Sequence, residues 1–232
     1  MRSLMVITMA FLMFSCGTKY NYWDTGVSDG RFQGTMYEYL QSTHEFDSIV
    51  KIIDRAGLVS VFEREDITFI APTDLTFWKW FYYDDKNGGY DDAISYTPHG
   101  YRSISEMDQT LCRRIVESHI LEGTIMREDV PLVTHDELGV KTGGGRIETT
   151  RNGNKCWLWS EQEPYMGIPD MGPVIVNLSS LQEDESVYAN IGIVFPDHKP
   201  DNGAVIILPY TYRLGDMGKV IVEQKAAAIG NE

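Results

Sequence analysis

Residues 67–77 read I-T-F-I-A-P-T-D-L-T-F, and this stretch decides the fold. The first five are apolar or β-branched, which predicts a short buried strand. Pro72 ends that strand, because proline has no amide hydrogen to give to a central ladder. Thr73 or Asp74 can then cap a helix, since their side-chain oxygens accept hydrogen bonds from free first-turn amides. The stretch therefore predicts a strand that turns directly into a helix.

This strand–proline–helix sequence resembles the first signature segment of the fasciclin-type (FAS1) domain, T-hydrophobic-F-A-P-T-(N/D)-x-A-F. Thr76 stands where the family usually has alanine. The matching positions are Thr68, Phe69, Ala71, Pro72, Thr73, Asp74 and Phe77.

A second segment, residues 112–125, reads C-R-R-I-V-E-S-H-I-L-E-G-T-I and resembles the family landmark L-L-x-Y-H-x-x-x-G. His119 and Gly123 match it, and Ser118 replaces the tyrosine. In the family this Tyr-His pair is connected with partner binding. A single histidine beside a helical stripe is more often a satisfied core residue than a ligand, so we interpret His119 as structural.

A third segment, residues 200–209, reads P-D-N-G-A-V-I-I-L-P and resembles the closing strand of the family. Ile206 occupies the position that usually holds a histidine. The three segments occur in the family's order, and agreement at several levels strengthens the interpretation.

The resemblance implies an α+β fold, a β-sandwich or wedge with helices packed on one side. It implies a domain over residues 35–217 with an insertion at about 78–106, followed by a C-terminal strand or tail at 218–232. It also implies a binding or adhesion module and no catalyst or cofactor.

Charge narrows the choice of partners. The chain of 232 residues has 20 Lys and Arg against 34 Asp and Glu, a formal charge of −14. Nucleic-acid binding needs a basic surface against phosphates, so this class is disfavoured. Electrostatic adhesion to anionic lipid is disfavoured for the same reason.

The N-terminus carries an export pattern. Arg2 precedes an apolar run at residues 4–14, which is too short to span a bilayer comfortably and is typical of a signal peptide. The run ends M-F-S-C and resembles a bacterial lipobox, which implies a signal peptide at 1–15 and lipidation of Cys16. The alternative is an ordinary secretory signal with an incidental cysteine. Residues 16–34 are polar and predict a tether. The predicted location is the bacterial cell envelope, lipid-anchored at the outer membrane or cell surface.

The two other cysteines, Cys112 and Cys156, can form one disulfide or remain two separately buried thiols. We favour separate thiols, because Cys112 lies in a predicted helix beside Leu111 and Ile115, where a small apolar residue packs well.

The insertion is rich in aromatic residues. They can form a platform for a sugar ring or a protein partner, since flat amphipathic rings offer apolar area at small entropy cost. Alternatively the rings cover the helical layer, which we favour for Trp78 and Trp80. The predicted ligand-binding residues are Trp80, Tyr82, Tyr83, Tyr90, Tyr96 and Tyr101.

Other patterns predict individual elements. Thr35 and Glu38 form a capping-box pair, and so do Ser103 and Glu106, whose helix should continue to about Ile120. The Asn-Gly pair at 152–153 predicts a hairpin. Residues 187–195 form one apolar run that predicts a strand.

No nucleophile elbow, zinc-protease, P-loop or dinucleotide motif occurs. His135, Asp136 and Glu137 are adjacent, but nothing nearby in the sequence supplies further metal ligands. The chain has many carboxylates, so their number does not exclude a pair of the kind that glycosidases use, but nothing in the sequence selects two of them. Three functions follow in order: a binding or adhesion module for an extracellular protein or matrix partner, an accessory glycan-binding lipoprotein of a polysaccharide-uptake system, and a hydrolase.

Overall fold

A computed structural model describes residues 30–82, 103–136, 141–168, 171–193 and 195–217. Apart from Gly30, the described residues belong to one compact unit, which begins at Arg31. The predicted signal peptide, Cys16 and the predicted tail at 218–232 lie outside the described residues.

Three helices open this unit: α1 (Met36–Ser42), α2 (Asp47–Ala56) and α3 (Val59–Arg64). The predicted capping box at α1 is confirmed, because the Thr35 side chain accepts from the Glu38 amide and the Glu38 side chain accepts from the Thr35 amide. Helix α2 buries Ile49, Ile52 and Ile53 on one face, as an amphipathic period predicts.

The strand-to-helix corner is confirmed. Strand β1 (Ile67–Ala71) is followed by helix α4 (Asp74–Tyr82). Of the two capping candidates, Thr73 stands immediately before the helix, whereas Asp74 is the first residue of α4 and its Oδ1 accepts from the Ser48 amide of α2 at 2.7 Å. Thr73 contributes its backbone carbonyl, which accepts from the Thr76 amide at 2.9 Å. The Asp74 carboxylate thus satisfies a first-turn amide of a neighbouring helix.

The first sheet has the order β2–β1–β10–β9, in which β2 is Ile120–Glu122, β9 is Phe195–His198 and β10 is Gly203–Ile207. Strand β1 pairs with β10 in parallel, from Ile67 opposite Gly203 to Ala71 opposite Ile207. All five residues of each strand are buried. Burial on both faces explains why both strands read as unbroken apolar runs and not as alternating ones.

The second sheet is antiparallel and has the order β5–β6–β7–β8. Its strands are β5 (Arg146–Thr149), β6 (Lys155–Gln162), β7 (Val174–Leu181) and β8 (Val187–Asn190). The predicted Asn-Gly hairpin is confirmed, since Thr149 pairs with Lys155 across it. A two-stranded ribbon, β3 (Thr134–His135) with β4 (Lys141–Gly143), precedes this sheet in the chain.

Two cores lie on opposite faces of the first sheet. On one face Ile67, Phe69 and Ala71 pack against the helices. On the other face Ile70 packs against the second sheet. The second core contains Leu121, Cys156, Leu158, Val176, Leu178, Ile206 and Leu208. The predicted α+β class is confirmed: two sheets face each other, and the helices pack on one side.

The predicted helix from Ser103 to Ile120 is wrong at both ends. Residues 104–106 form a 3₁₀ turn without a side-chain cap from Ser103, and helix α5 (Gln109–Glu117) begins after Asp108, whose Oδ1 accepts from the Leu111 amide at 2.7 Å. Ile120 belongs to β2, where it pairs with Phe69. The edge of β1 needs a hydrogen-bonding partner, and this requirement overrides the helical pattern.

The strand predicted at 187–195 is also wrong as one element. It divides into β8 of the second sheet and β9 of the first. Gly192 lies between them with φ 74°, which changes the chain direction. Apolar content alone cannot distinguish one long strand from two short ones that enter different sheets.

The two cysteines confirm the favoured interpretation. Cys112 lies in the helical core and Cys156 in the core between the sheets, and both are free thiols. Burial raises the pKa of Cys112 to about 11 and the pKa of Cys156 to about 12.

The domain begins earlier than residue 35. The backbones of Arg31 and Lys199 form an isolated parallel β-bridge, and the Phe32 amide donates to the Lys199 carbonyl at 2.9 Å. The Gly34 amide donates to Asp201 Oδ2 at 3.0 Å. The last residues of the predicted tether are therefore docked on the domain. Within the described ranges, no helix is long and apolar enough to cross a membrane.

Candidate functional site

A groove of about 780 Å³ opens at one end of the first sheet. Strands β1 and β10 run in parallel, so their carboxyl ends lie side by side at this end. Residues that follow each of the two strands line the groove. Grooves at the carboxyl ends of parallel strands are common ligand sites. The lining residues are Tyr39, Thr43, Glu45, Thr73, Asp74, Leu75, His198, Ile207, Leu208 and Tyr210.

Apolar and aromatic side chains supply the inner part of the groove. Ile207 and Leu208 are buried at the end of β10. Tyr39 of α1 is also buried, and its ring centroid lies 5.5 Å from that of His198. Phe32 packs edge-on against Tyr39, with centroids 5.4 Å apart. The cluster holds Tyr39 in one orientation, so this wall of the groove is pre-formed.

The outer wall exposes apolar surface. Leu75 and Tyr210 line the groove, and their side chains are 42% and 70% exposed. Trp78 is 52% exposed and lies one helical turn beyond Leu75, on the same face of α4. Exposed apolar residues that share a groove are more informative than the same residues scattered singly.

Lys79 connects the two sides of the outer wall. Its ammonium donates to the carbonyl oxygens of Tyr210 and Tyr212, the second at 2.9 Å. Burial, and the nearby charge of Arg213, lower the pKa of Lys79. The backbone that carries Tyr210 is therefore attached to helix α4.

Two carboxylates line the groove, Glu45 and Asp74. Burial, and secondarily the charge of Glu45, raise the pKa of Tyr39 to about 12. Glu45 is exposed, and Asp74 accepts from the Ser48 amide. A glycosidase needs one carboxyl group in an apolar setting that keeps its proton near neutral pH. Neither groove carboxylate is enclosed by apolar side chains in this way, because Glu45 is exposed and Asp74 is engaged with the Ser48 amide.

Most of the predicted aromatic platform lies outside the described residues. Tyr83, Tyr90, Tyr96 and Tyr101 are in this group, as is the side chain of Tyr82. Trp80 packs against the helical core, and its ring centroid lies 5.1 Å from that of Phe81. This agrees with the covering role we favoured for Trp80. Trp78, for which we favoured the same role, is instead half exposed.

The structural interpretation of His119 is supported by its surroundings. The ring is fully buried, with Nδ1 2.6 Å from the Ile115 carbonyl and Nε2 2.7 Å from the Tyr212 hydroxyl. Burial lowers the pKa of His119 to about 4, so the ring is neutral at pH 7. Both nitrogens are used inside the core.

His135 contacts a carboxylate of the second sheet, and Glu137 lies outside the described residues. Its Nε2 lies 3.2 Å from Glu161 Oε1 of β6. Over the part of the chain that the structure describes, there is no group of three or more His, Cys, Asp or Glu able to hold a metal ion.

Sequence reasoning missed Tyr39, Leu75, His198 and Tyr210 as groove residues. They come from four separate segments, and no motif connects them. One part of the groove was predictable from the sequence. A helix that starts at residue 74 places the apolar residues Leu75 and Trp78 on one face.

The chain folds as an α+β domain with a surface groove at the carboxyl ends of β1 and β10. No family model matches the chain, and no curated protein matches it. Among solved structures, it is similar to a pair of FAS1 domains from the insect cell adhesion molecule fasciclin I. The TM-score is 0.49 and the identity 14%, over 82% of this chain and 52% of the other. The chain thus spans about half the length of that structure.

Proposed function

We propose that this protein is a non-catalytic, fasciclin-like binding or adhesion module that holds an extracellular protein or matrix partner in the groove at the end of β1 and β10. The observation that carries the proposal is the exposed apolar wall of Leu75 and Tyr210 above a buried apolar floor. A groove of about 780 Å³ has room for several side chains of a partner.

The anchoring of the module is part of the proposal. The apolar run at residues 4–14 and the lipobox-like M-F-S-C favour a lipidated Cys16 and a place on the bacterial cell envelope. Labelling of growing cells with a palmitate analogue tests this step. The wild-type protein should take up the label and the Cys16→Ser variant should not. A labelled Cys16→Ser protein would contradict the anchor and leave the groove unaffected.

A glycan is the second candidate for the same groove. The exposed rings of Tyr210 and Trp78 favour it, because sugar rings stack on exposed aromatic faces. In this case the protein would be an accessory lipoprotein of a polysaccharide-uptake system.

One experiment compares the two partner classes. The purified Cys16→Ser protein is applied to an array of immobilised matrix proteins and to a glycan array, beside the same protein carrying Leu75→Ser and Tyr210→Ser. We expect binding to one or more matrix proteins, reduced at least tenfold by the groove substitutions. Groove-dependent binding on the glycan array alone would select the second candidate. Binding that ignores the groove substitutions would contradict the proposed site.

A further inference from the structure

The β6–β7 hairpin ends in a tip with exposed apolar side chains. Beyond the paired residues Gln162 and Val174, the Glu163 amide donates to the Pro173 carbonyl at 3.0 Å and the Gly172 amide donates to the Glu163 carbonyl at 2.7 Å. These bonds continue the hairpin past the edge of the second sheet. The tip carries the exposed residues Tyr165, Met166, Ile168 and Met171.

The tip is a closed two-residue turn. The amides of Tyr165 and Ile168 each donate to the other residue's carbonyl, at 3.0 and 2.9 Å. Met166 and Gly167 occupy the turn with φ 51° and 80°. Hairpin turns of this kind favour asparagine, aspartate or glycine, which tolerate positive φ.

Met166 therefore occupies a position that suits a different residue type. Side chains other than those of asparagine and aspartate strain the backbone in this region, and glycine avoids the strain because it has no Cβ. The side chain is also 85% exposed, so it gains little from burial within the chain. Methionine is flexible and polarizable, and it is common at surfaces that bind protein partners.

The hairpin that carries the tip has carboxylates and no lysine or arginine from Cys156 to Leu181. The acidic residues of this stretch are Glu161, Glu163 and Asp170. Glu183, Asp184 and Glu185 belong to the β7–β8 turn, at the end of β7 opposite the tip. Of the two on the described stem, Glu163 is exposed and Glu161 lies beside His135. An apolar tip on an acidic stem is complementary to an apolar depression bordered by cations.

We propose that this tip, residues 165–168 with Met171, is a docking element that inserts into an apolar pocket bordered by lysine or arginine on a protein partner. The inference extends the proposed binding function to a second surface, and it shares no residue with the groove. Anionic lipid would be repelled by the stem. The groove of a second copy carries Glu45 and Asp74, which would face Glu163 with charge of the same sign.

The test uses a fluorescent helical peptide made of leucine and lysine, with one leucine stripe flanked by lysines. A leucine–glutamate peptide of the same pattern is the charge control. Binding to the Cys16→Ser protein is followed by anisotropy at low and high salt. The variants are Met166→Asn with Ile168→Thr at the tip, and Val187→Thr as a matched control, since Val187 is an exposed apolar residue close to Glu183, Asp184 and Glu185 in the chain.

We expect the leucine–lysine peptide to bind, to lose at least tenfold in affinity with the tip variant and with high salt, and to be unchanged by Val187→Thr. The melting temperature of Met166→Asn should equal or exceed that of the parent, because asparagine tolerates positive φ. This separates a binding residue from a structural one.

Other outcomes overturn the inference. These are no binding of the peptide, equal loss with Val187→Thr, or equal binding of the leucine–glutamate peptide. Tip-dependent binding to phosphatidylcholine vesicles without peptide binding would assign the tip to lipid instead. Loss of peptide binding only with Leu75→Ser and Tyr210→Ser would overturn the tip and leave the proposed function standing.

Discussion

His119 and Tyr212 are joined by a hydrogen bond of 2.7 Å between Nε2 and the tyrosine hydroxyl inside the core. His119 Nδ1 lies 2.6 Å from the Ile115 carbonyl, an acceptor, so Nδ1 carries the proton and Nε2 accepts from Tyr212. The pair connects the end of helix α5 to the segment after β10. In this way the last described residues of the chain are held to its middle.

Substitution of Tyr212 tests this connection. Tyr212→Phe leaves His119 Nε2 buried without its donor, and we expect a loss of about 1–2 kcal/mol in the free energy of unfolding. Urea denaturation measures it. Tyr210→Phe is the control, because Tyr210 is largely exposed and should change stability by less than about 0.5 kcal/mol. Equal effects of the two substitutions would contradict the assignment.

The protonation of His119 predicts a pH dependence. Its folded pKa of about 4 lies below the ordinary value of 6.5, so in that interval the unfolded chain binds a proton that the native chain does not. The contribution of His119 to the free energy of unfolding is therefore fully present above about pH 6.5. It is lost as the pH falls toward 4, which lowers the free energy of unfolding by roughly 3 kcal/mol in all. Urea titrations of the wild type and His119→Gln at several pH values isolate this contribution. A slope that is the same in both proteins would refute it.

Gly203 allows two backbones to approach each other. It has φ +143°, and a Cβ atom there would lie 1.9 Å from the Ile67 carbonyl oxygen. Because the parallel β1–β10 pairing begins at this point, we expect Gly203→Ala to cost more than about 3 kcal/mol or to prevent folding.

Gly123→Ala is the matched control for Gly203→Ala. Gly123 also has positive φ, +77°, but nothing lies within 4 Å of the position that an alanine methyl group would take there. We expect a cost of about 1 kcal/mol, the backbone term alone. Thermal unfolding of the two variants compares the steric contribution directly. A similar loss in both would show that the approach to Ile67 is unimportant.

Asn202 connects three segments of the domain. Its Oδ1 accepts from the Met36 amide at 2.7 Å, and its Nδ2 donates to the carbonyls of Phe62 and Glu65 at 3.0 Å each. Asn202→Ala should cost about 2–4 kcal/mol in unfolding free energy. Asn202→Asp keeps the acceptor for the Met36 amide and loses both donors. Its loss of unfolding free energy should be smaller than that of Asn202→Ala only if the hydrogen bond to Met36 is the dominant one. An alanine variant as stable as wild type would contradict the role.

The two buried thiols predict slow chemical modification. Because burial raises the pKa of both Cys112 and Cys156, little thiolate is present at pH 8. In the Cys16→Ser protein, we expect iodoacetamide to label neither cysteine in native buffer and both in urea, as measured by mass spectrometry. Rapid labelling without denaturant, or a mass lower by two hydrogens from a disulfide, would be the contrary result.

Local chemistry determined several elements from sequence alone. The run Ile67–Ala71 followed by proline gave a buried strand and then a helix, because apolar β-branched residues and a missing amide act within a few positions. The capping box at Thr35 and the Asn-Gly turn were predictable for the same reason.

Only the tertiary structure decided how distant segments meet. Ile120 enters a strand and Asp74 caps a helix other than its own, because the open edge of β1 and the free Ser48 amide supply partners that no local pattern reveals. The groove depends on the parallel pairing of β1 with β10, which are separated by more than a hundred residues. Hydrophobic periodicity fixes which face of an element is buried, whereas hydrogen-bond pairing between remote strands fixes which surfaces become neighbours.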